Sequence, residues 1–266
     1  MAYQEHYDGI DFEIKGHVAY LTFNNPATLN ALSYSIFKSI NLIFDEMEKD
    51  RNIWGVILTG AGRSFIAGAD LKDMPKFDYF SLEGCRDDRV YIHETYNKIA
   101  HFSRPTIAAI NGYALGGGAE LALCCDIRIA SKKAKIGFPE AKLGGMAGYT
   151  GPSRAVRILG PAYAMEMLMT GYHYPAEEVL HYGFLSKVVE PEELIPAAEE
   201  IMGRILSKSP LAVKFNKIMV DRCQDMSYES SLEFERMICA ILPECEDYAE
   251  GMAAFHEKRD PVFHNN

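Results

Sequence analysis

ALGGGAELALCC, residues 114–125, sets three consecutive glycines and a glutamate, Glu120, among residues that are otherwise small or apolar. Glycine loses more conformational freedom on folding than any other residue, so a run of three points to backbone that must come close to something or adopt unusual dihedrals. A carboxylate among Leu121, Ala122, Leu123 and Cys124 is costly to bury in its charged form. Glycines and carboxylate together call for a chemical reason.

The surrounding composition narrows that reason. A chain of 266 residues with 48% apolar content can fill one large core, with or without an appendage. No run approaches the roughly 20 apolar residues of a membrane span, and the opening MAYQEHYDGI lacks the basic and apolar regions of a secretory signal. The expectation is a cytoplasmic protein. The six cysteines show no CxxC pairing, and two of them, Cys124 and Cys125, sit in the apolar run, so they read as reduced thiols. A formal net charge of −10 argues against a nucleic-acid surface, while leaving room for a small polyanion where positive charge is gathered locally.

Periodicity predicts an α/β body followed by helices. FEIKG and VAYLTF read as two strands joined at Gly16. Ile36, Ile40, Ile43, Phe44 and Met47 recur at helical spacing behind Ser33, a capping residue. WGVILTG, TIAAING and DIRIAS read as buried strands, and from about Glu192 onward the pattern is helical. The expected organisation is an α/β body over residues 1–195 and a helical part over 196–266 that packs on the body or on another subunit. In the latter, Leu232, Phe234, Met237, Ile238, Ile241 and Leu242 are too many for one exposed helix.

Common templates fail along the glycine-rich stretches. Gly60 and Gly62 begin a GxGxxG pattern that Phe65 breaks, and Gly112 and Gly117 have P-loop spacing but are followed by Gly118 and Ala119 in place of Lys and Ser or Thr. His93-Glu94 meets Asn97 where a zinc protease needs its second His, and no GxSxG elbow occurs, so no metal site is expected. Two carboxylates remain: Glu120 after the glycines, and Glu140 in IGFPEAKLGGMAG. For Glu140 alone, proline followed by an acid is ordinary helix-start chemistry. A desolvated pair, however, repels its doubly ionised form, so one member keeps a proton while the other does not, as acid–base catalysis requires. An N–H at a helix start beside the glycines can stabilise charge developing on an oxygen. The loop SFIAGADLKDM offers a second such donor at Ala67, Gly68 or Ala69; equally, it reads as a strand-to-helix connection capped by Asp70.

These residues occur in a series, NNPATLNAL, AGADLKDM, AAINGYALGGGAELALCCDIRIAS, FPEAKLG and FHEKR, that resembles the enoyl-CoA hydratase/isomerase (crotonase) superfamily over residues 18–263. The resemblance implies a spiral of ββα units with a C-terminal helical trimerisation region, a trimer or dimer of trimers, and an acyl-CoA thioester as ligand with no separate cofactor. By motif position it implies that the backbone N–H groups of Ala69 and Gly117 hold the thioester oxygen, that Glu120 and Glu140 are the catalytic carboxylates, and that the Gly148 N–H helps place the reacting water. It also places Ala67, Gly68, Asp70 and Gly116 along the substrate, with Lys72 and Lys258 near the CoA phosphates, Lys258 serving a neighbouring subunit.

One stretch departs from the family pattern. Where many hydratases carry Pro-Gly-x-Gly-Gly-Thr-Gln-Arg, this chain has AGYTGPSR, residues 147–154. Ala147 stands for the proline, and Tyr149 and Thr150 stand for two small residues, which implies a narrower acyl pocket or shifted chemistry. The implied activity is hydration of a 2-enoyl-CoA. Rival readings are double-bond isomerisation or thioester hydrolysis on the same scaffold, which commonly alter one of the two Glu positions, and a non-catalytic CoA-binding protein, which needs the oxyanion loops but not both acids.

Overall fold

Sequence expectations from residue 10 onward map onto a two-sheet spiral in the computed structural model, which describes residues 3–4, 6–73 and 82–264. Strands β1 (Ile10–Lys15) and β2 (Val18–Phe23) pair antiparallel around Gly16, as expected. Helix α1 (Tyr34–Lys49) starts at Ser33, whose side chain accepts the Ile36 N–H, and all five residues of its predicted stripe are buried.

The chain then repeats one manoeuvre three times. A strand enters a first sheet, the next short strand enters a second sheet, and a helix returns. The three passes are β3 (Gly55–Gly60), β4 (Ser64–Ile66) and α2 (Leu82–Ala100); β5 (Thr106–Ile110), β6 (Tyr113–Leu115) and α3 (Gly117–Ala122); and β7 (Ile127–Ser131), β8 (Lys135–Gly137) and α4 (Gly151–Thr170). Strand β9 (Tyr174–Pro175), helix α5 (Ala176–His181) and strand β10 (Lys187–Val189) complete the body. The first sheet has the order β1-β2-β3-β5-β7-β10 and is parallel from β2 onward; the second has the order β4-β6-β8-β9. The predicted strands in WGVILTG, TIAAING and DIRIAS are β3, β5 and β7. Covered on both faces, they are nearly continuous apolar runs, with every residue of β5 buried.

Helix α6 (Leu194–Leu206) covers the outer face of the first sheet. Ala197, Ala198 and Met202 pack with Ile57, Ile107, Ala109 and Ile129, so a division at 195/196 falls inside a helix whose apolar face belongs to the body's core. Helices α7 (Pro210–Cys223), α8 (Tyr228–Ile241) and α9 (Glu246–Glu257) form the appendage, where Ile238 is buried but Met237 and Ile241 are at least half exposed. Cys124, Cys125, Cys223, Cys239 and Cys245 are free thiols. Among the described residues, no helix is long and apolar enough to cross a membrane.

The second sheet sets up the site. Strands β4, β6 and β8 run parallel, β6 and β8 in regular register and β4 joining β6 with a register shift between Ser64 and Ile66, so the loops leaving their carboxyl ends lie side by side. Crevices at the carboxyl ends of parallel strands are where ligands meet α/β proteins.

Candidate active site

The loop after β4 contributes residues 67–70. Asn30, fully buried, ties it to the NNPATLNAL turn: its side-chain amide donates to the carbonyls of Ala61, Ser64 and Phe65, while its Oδ1 accepts the Asn25 N–H. The chain then bridges to Leu32, through Leu32 N–H to the Gly68 carbonyl at 2.8 Å and Asp70 N–H to the Leu32 carbonyl at 2.9 Å. Gly68 has φ +119°, a conformation that side chains rarely adopt. Between these bonds the Ala69 N–H has no acceptor among the described residues. Asp70 Oδ1 accepts the Lys72 N–H at 2.9 Å, so its side chain caps the turn, and Lys72 is exposed. Met74, the end of the quoted loop, lies outside the described residues.

The loop after β6 answers the puzzle of the glycines. Gly116 turns the chain at φ +52°, and a Cβ there would lie 2.6 Å from Glu140 Oε1. A Cβ on Gly118 would collide with the Ile66 carbonyl in β4. Gly117, the first residue of α3, lies against the Tyr149 ring and the Leu32 side chain; its N–H also lacks an acceptor among the described residues, while its carbonyl accepts the Tyr96 hydroxyl at 2.7 Å. Each glycine therefore gives up its side chain to a different neighbour: Glu140, Tyr149 and β4.

Glu120 sits in the first turn of α3, 1% exposed. Its Oε1 accepts the N–H groups of Tyr149 at 2.8 Å and Gly151 at 2.6 Å, so the start of α4 holds it. Burial pushes its pKa up to about 8, and repulsion from Glu140 adds to the rise against the bonds from Gly151 and Tyr149 and the charge of Arg89. Glu140 lies in the short 3-10 turn Pro139–Leu143 that follows β8, with Pro139 at its first position as the sequence indicates. Its pKa is also raised by burial, and its Oε2 is buried with no hydrogen-bond partner among the described residues. A buried oxygen without a partner is one that a proton or a ligand can satisfy. Among the described residues, no group of three His, Cys, Asp or Glu is placed to hold a metal ion.

The departing stretch 147–154 serves this pair mainly through its backbone. Tyr149 is 5% exposed, and its ring stacks edge-on against Phe37 and tilted against Tyr96. The carbonyl of Gly148 lies 2.9 Å from His93 Nε2. Thr150 holds φ +85° as it turns the chain into α4. Lys258 is the remaining expected residue; it is exposed at the end of α9 and makes no bond to these loops among the described residues. Not anticipated from sequence is the face of α2 carrying Arg89, His93 and Tyr96. Their i, i+4, i+7 spacing was a readable signal, but nothing local indicates what that face meets.

Comparison with known proteins settles the family. The enoyl-CoA hydratase/isomerase profile matches residues 13–266. The chain belongs to the enoyl-CoA hydratase/isomerase family. A short-chain-enoyl-CoA hydratase of Clostridium acetobutylicum is 39% identical, covering 95% of this chain and 96% of its own. A crotonyl-CoA hydratase of Syntrophomonas wolfei is 37% identical, covering 97% and 98%. The crystal structure of an enoyl-CoA hydratase from Bacillus anthracis superposes with a TM-score of 0.92 at 33% identity, covering 97% of this chain and 100% of that one. Members of the family act on CoA thioesters, and the two-sheet spiral described above is the family's fold.

Proposed function

We propose that this chain reversibly adds water to a short 2-enoyl-CoA, giving the 3-hydroxyacyl-CoA. The observation that carries the reading is the meeting of two desolvated carboxylates, Glu120 and Glu140, with the acceptor-free N–H groups of Ala69 and Gly117 at the ends of adjacent parallel strands. The names of the relatives from Clostridium acetobutylicum and Syntrophomonas wolfei support a short acyl group.

The two N–H groups receive the thioester oxygen and draw charge toward it, which makes C3 electrophilic. In the singly protonated form of the pair that reacts, Glu120 is the ionised member; it has one oxygen fixed by the start of α4 and takes a proton from water with the other as the water oxygen bonds to C3. Glu140, whose buried Oε2 has no hydrogen-bond partner among the described residues, delivers a proton to C2, and dehydration runs the same steps backward. The Gly148 N–H places the water, and Tyr149 bounds the acyl group. Ala67, Gly68, Asp70 and Gly116 line the path of the ligand, while Lys72 and a neighbouring subunit's Lys258 meet the CoA phosphates. The chemistry calls for no metal or redox group, since backbone donors hold the enolate-like charge. The exposed Met237 and Ile241 of α8 support assembly as a trimer or dimer of trimers. The cytoplasmic location expected from the free thiols belongs to the same proposal.

The test is purified protein with crotonyl-CoA and longer enoyl-CoA esters, following loss of the conjugated thioester absorbance. The reading expects turnover without added cofactor, fastest on short esters. Release of free CoA thiol, or migration of the double bond without water uptake, would replace it with hydrolysis or isomerisation.

A further inference from the structure

Helix α2 turns one face to the two carboxylates. Tyr96 holds the Gly117 carbonyl, His93 lies on the Gly148 carbonyl, and Arg89, one turn earlier, lies over the Tyr149 ring with Cζ 5.0 Å from its centroid. The Arg89 guanidinium also fills the space a side chain at 148 would take: a Cβ on Gly148 would lie 3.2 Å from Cζ, 3.3 Å from Nη1 and 3.5 Å from Nε. A planar cation is thus seated on Gly148 and Tyr149, the latter being one of the residues whose N–H grips Glu120.

We propose that Arg89 is a positioning residue of the reaction, its guanidinium seated on Gly148 and Tyr149 so that the Glu120–Glu140 pair holds one proton near neutral pH instead of two. The inference deepens the hydratase reading and rests on it for its catalytic meaning. Without an opposing charge, burial drives both carboxyls toward the neutral form, and a site with two neutral acids has no base to take the proton from water. Arg89 opposes that drift at both groups.

Among the described residues, the other titratable groups around the pair do not replace it. From α2, Tyr96 is fully buried and its phenol is held far above its ordinary value by burial. Beyond the end of α3, burial pushes the Cys124 thiol up to about 11, so both groups are neutral at pH 7. From α2, His93 engages the Gly148 carbonyl through Nε2, and Asp88 neighbours Arg89 in sequence. From the start of α4, Tyr149 turns its ring to Phe37 and Tyr96, and Arg154 is committed to Thr150 Oγ1 and Asn97 Oδ1. On the β4 loop, Asp70 caps the Lys72 N–H.

The test compares wild type, Arg89→Gln and Arg89→Lys as full-length proteins. Carboxyl 13C titration reads the two glutamates directly, with resonances assigned by their loss in Glu120→Gln and Glu140→Gln, and the pH profile of kcat on crotonyl-CoA is recorded in parallel. Loss of the charge in Arg89→Gln is expected to move both carboxyl midpoints up by about one pH unit, the lower end of the effect of a neighbouring opposite charge. The limbs of the kcat profile move with them, and Arg89→Lys restores most of the wild-type position. Carboxyl midpoints that stay at their wild-type values in Arg89→Gln overturn the proposal, even if kcat falls at every pH, because that is the signature of a role in packing alone. Should the wild type fail to hydrate any enoyl-CoA, the functional reading falls, and the carboxyl titration still decides the effect of Arg89.

Discussion

The N–H of Gly151, the first residue of α4, donates to Oε1 of Glu120 across 2.6 Å. A carboxyl that the sequence places at the start of one helix is therefore also held by the start of another, where orphan N–H groups and the helix dipole favour the ionised form. Burial favours the neutral form, so the group is poised between the two.

Gly151 has no room for a side chain. A Cβ would lie 2.5 Å from Glu120 Oε1 and 2.9 Å from Cγ. Gly151→Ala is expected to push the carboxyl off its position and lower kcat at least ~10-fold, since displacement by an ångström can cost about 10²-fold. Far-UV circular dichroism should remain that of wild type. An Ala variant with unchanged kcat would show that the exact placement of Glu120 is immaterial.

Tyr96 fixes Gly117 from behind through the bond from its hydroxyl to the Gly117 carbonyl. Removing the hydroxyl in Tyr96→Phe keeps the ring against Phe37 and Tyr149. The expected cost is about 1–3 kcal/mol in unfolding free energy, the range for leaving a buried acceptor without its donor, read by urea denaturation. A several-fold loss in kcat should accompany it. Unchanged stability together with unchanged kcat would remove Tyr96 from the support of the oxyanion donor.

Titration of Glu120 makes stability depend on pH. Its pKa rises from an ordinary 4.5 to about 8 on folding, so the folded state binds the proton more tightly than the unfolded chain does. The resulting stabilisation is fully present below the unfolded value and is lost as pH rises through the folded one. Unfolding free energy should therefore fall between about pH 5 and about pH 8.5, by on the order of 1–4 kcal/mol, and fall less in Glu120→Gln. Glu140, shifted in the same direction, leaves part of the slope in that variant. Identical slopes in the two proteins would contradict the burial of an ionisable Glu120.

What was legible in sequence is what depends on near neighbours. The hairpin at Gly16, the Ser33 cap, the buried β3, β5 and β7, and a helix opening at Gly117 with Glu120 in its first turn follow from local pattern, and each is in the structure. The short strands β4, β6 and β8 are three residues each, too brief for alternation to register, yet they align the loops of the site. The α2 face was hidden for another reason: what Arg89 and His93 meet is settled only when the segment 147–151 arrives from far along the chain. Tyr149 shows the same limit. Its side chain drew attention as a bulky replacement, whereas the bond it makes to Glu120 comes from its N–H, which any residue other than proline would supply.

The central claim is that Glu120 and Glu140 act as one unit on one water and one carbon centre. The measurement is kcat for water addition to crotonyl-CoA in Glu120→Gln, Glu140→Gln and the double variant, with affinity for a saturated acyl-CoA measured alongside. Each single change should cost on the order of 10²–10⁴-fold, the range for a positioned acid or base. The double change should cost little more than the worse single one, because groups acting together are not additive. Acyl-CoA affinity should hold, because Ala69 and Gly117 bind through backbone that neither change touches. Near-normal kcat in Glu120→Gln would contradict the account, and with it the reason for a glutamate behind three glycines.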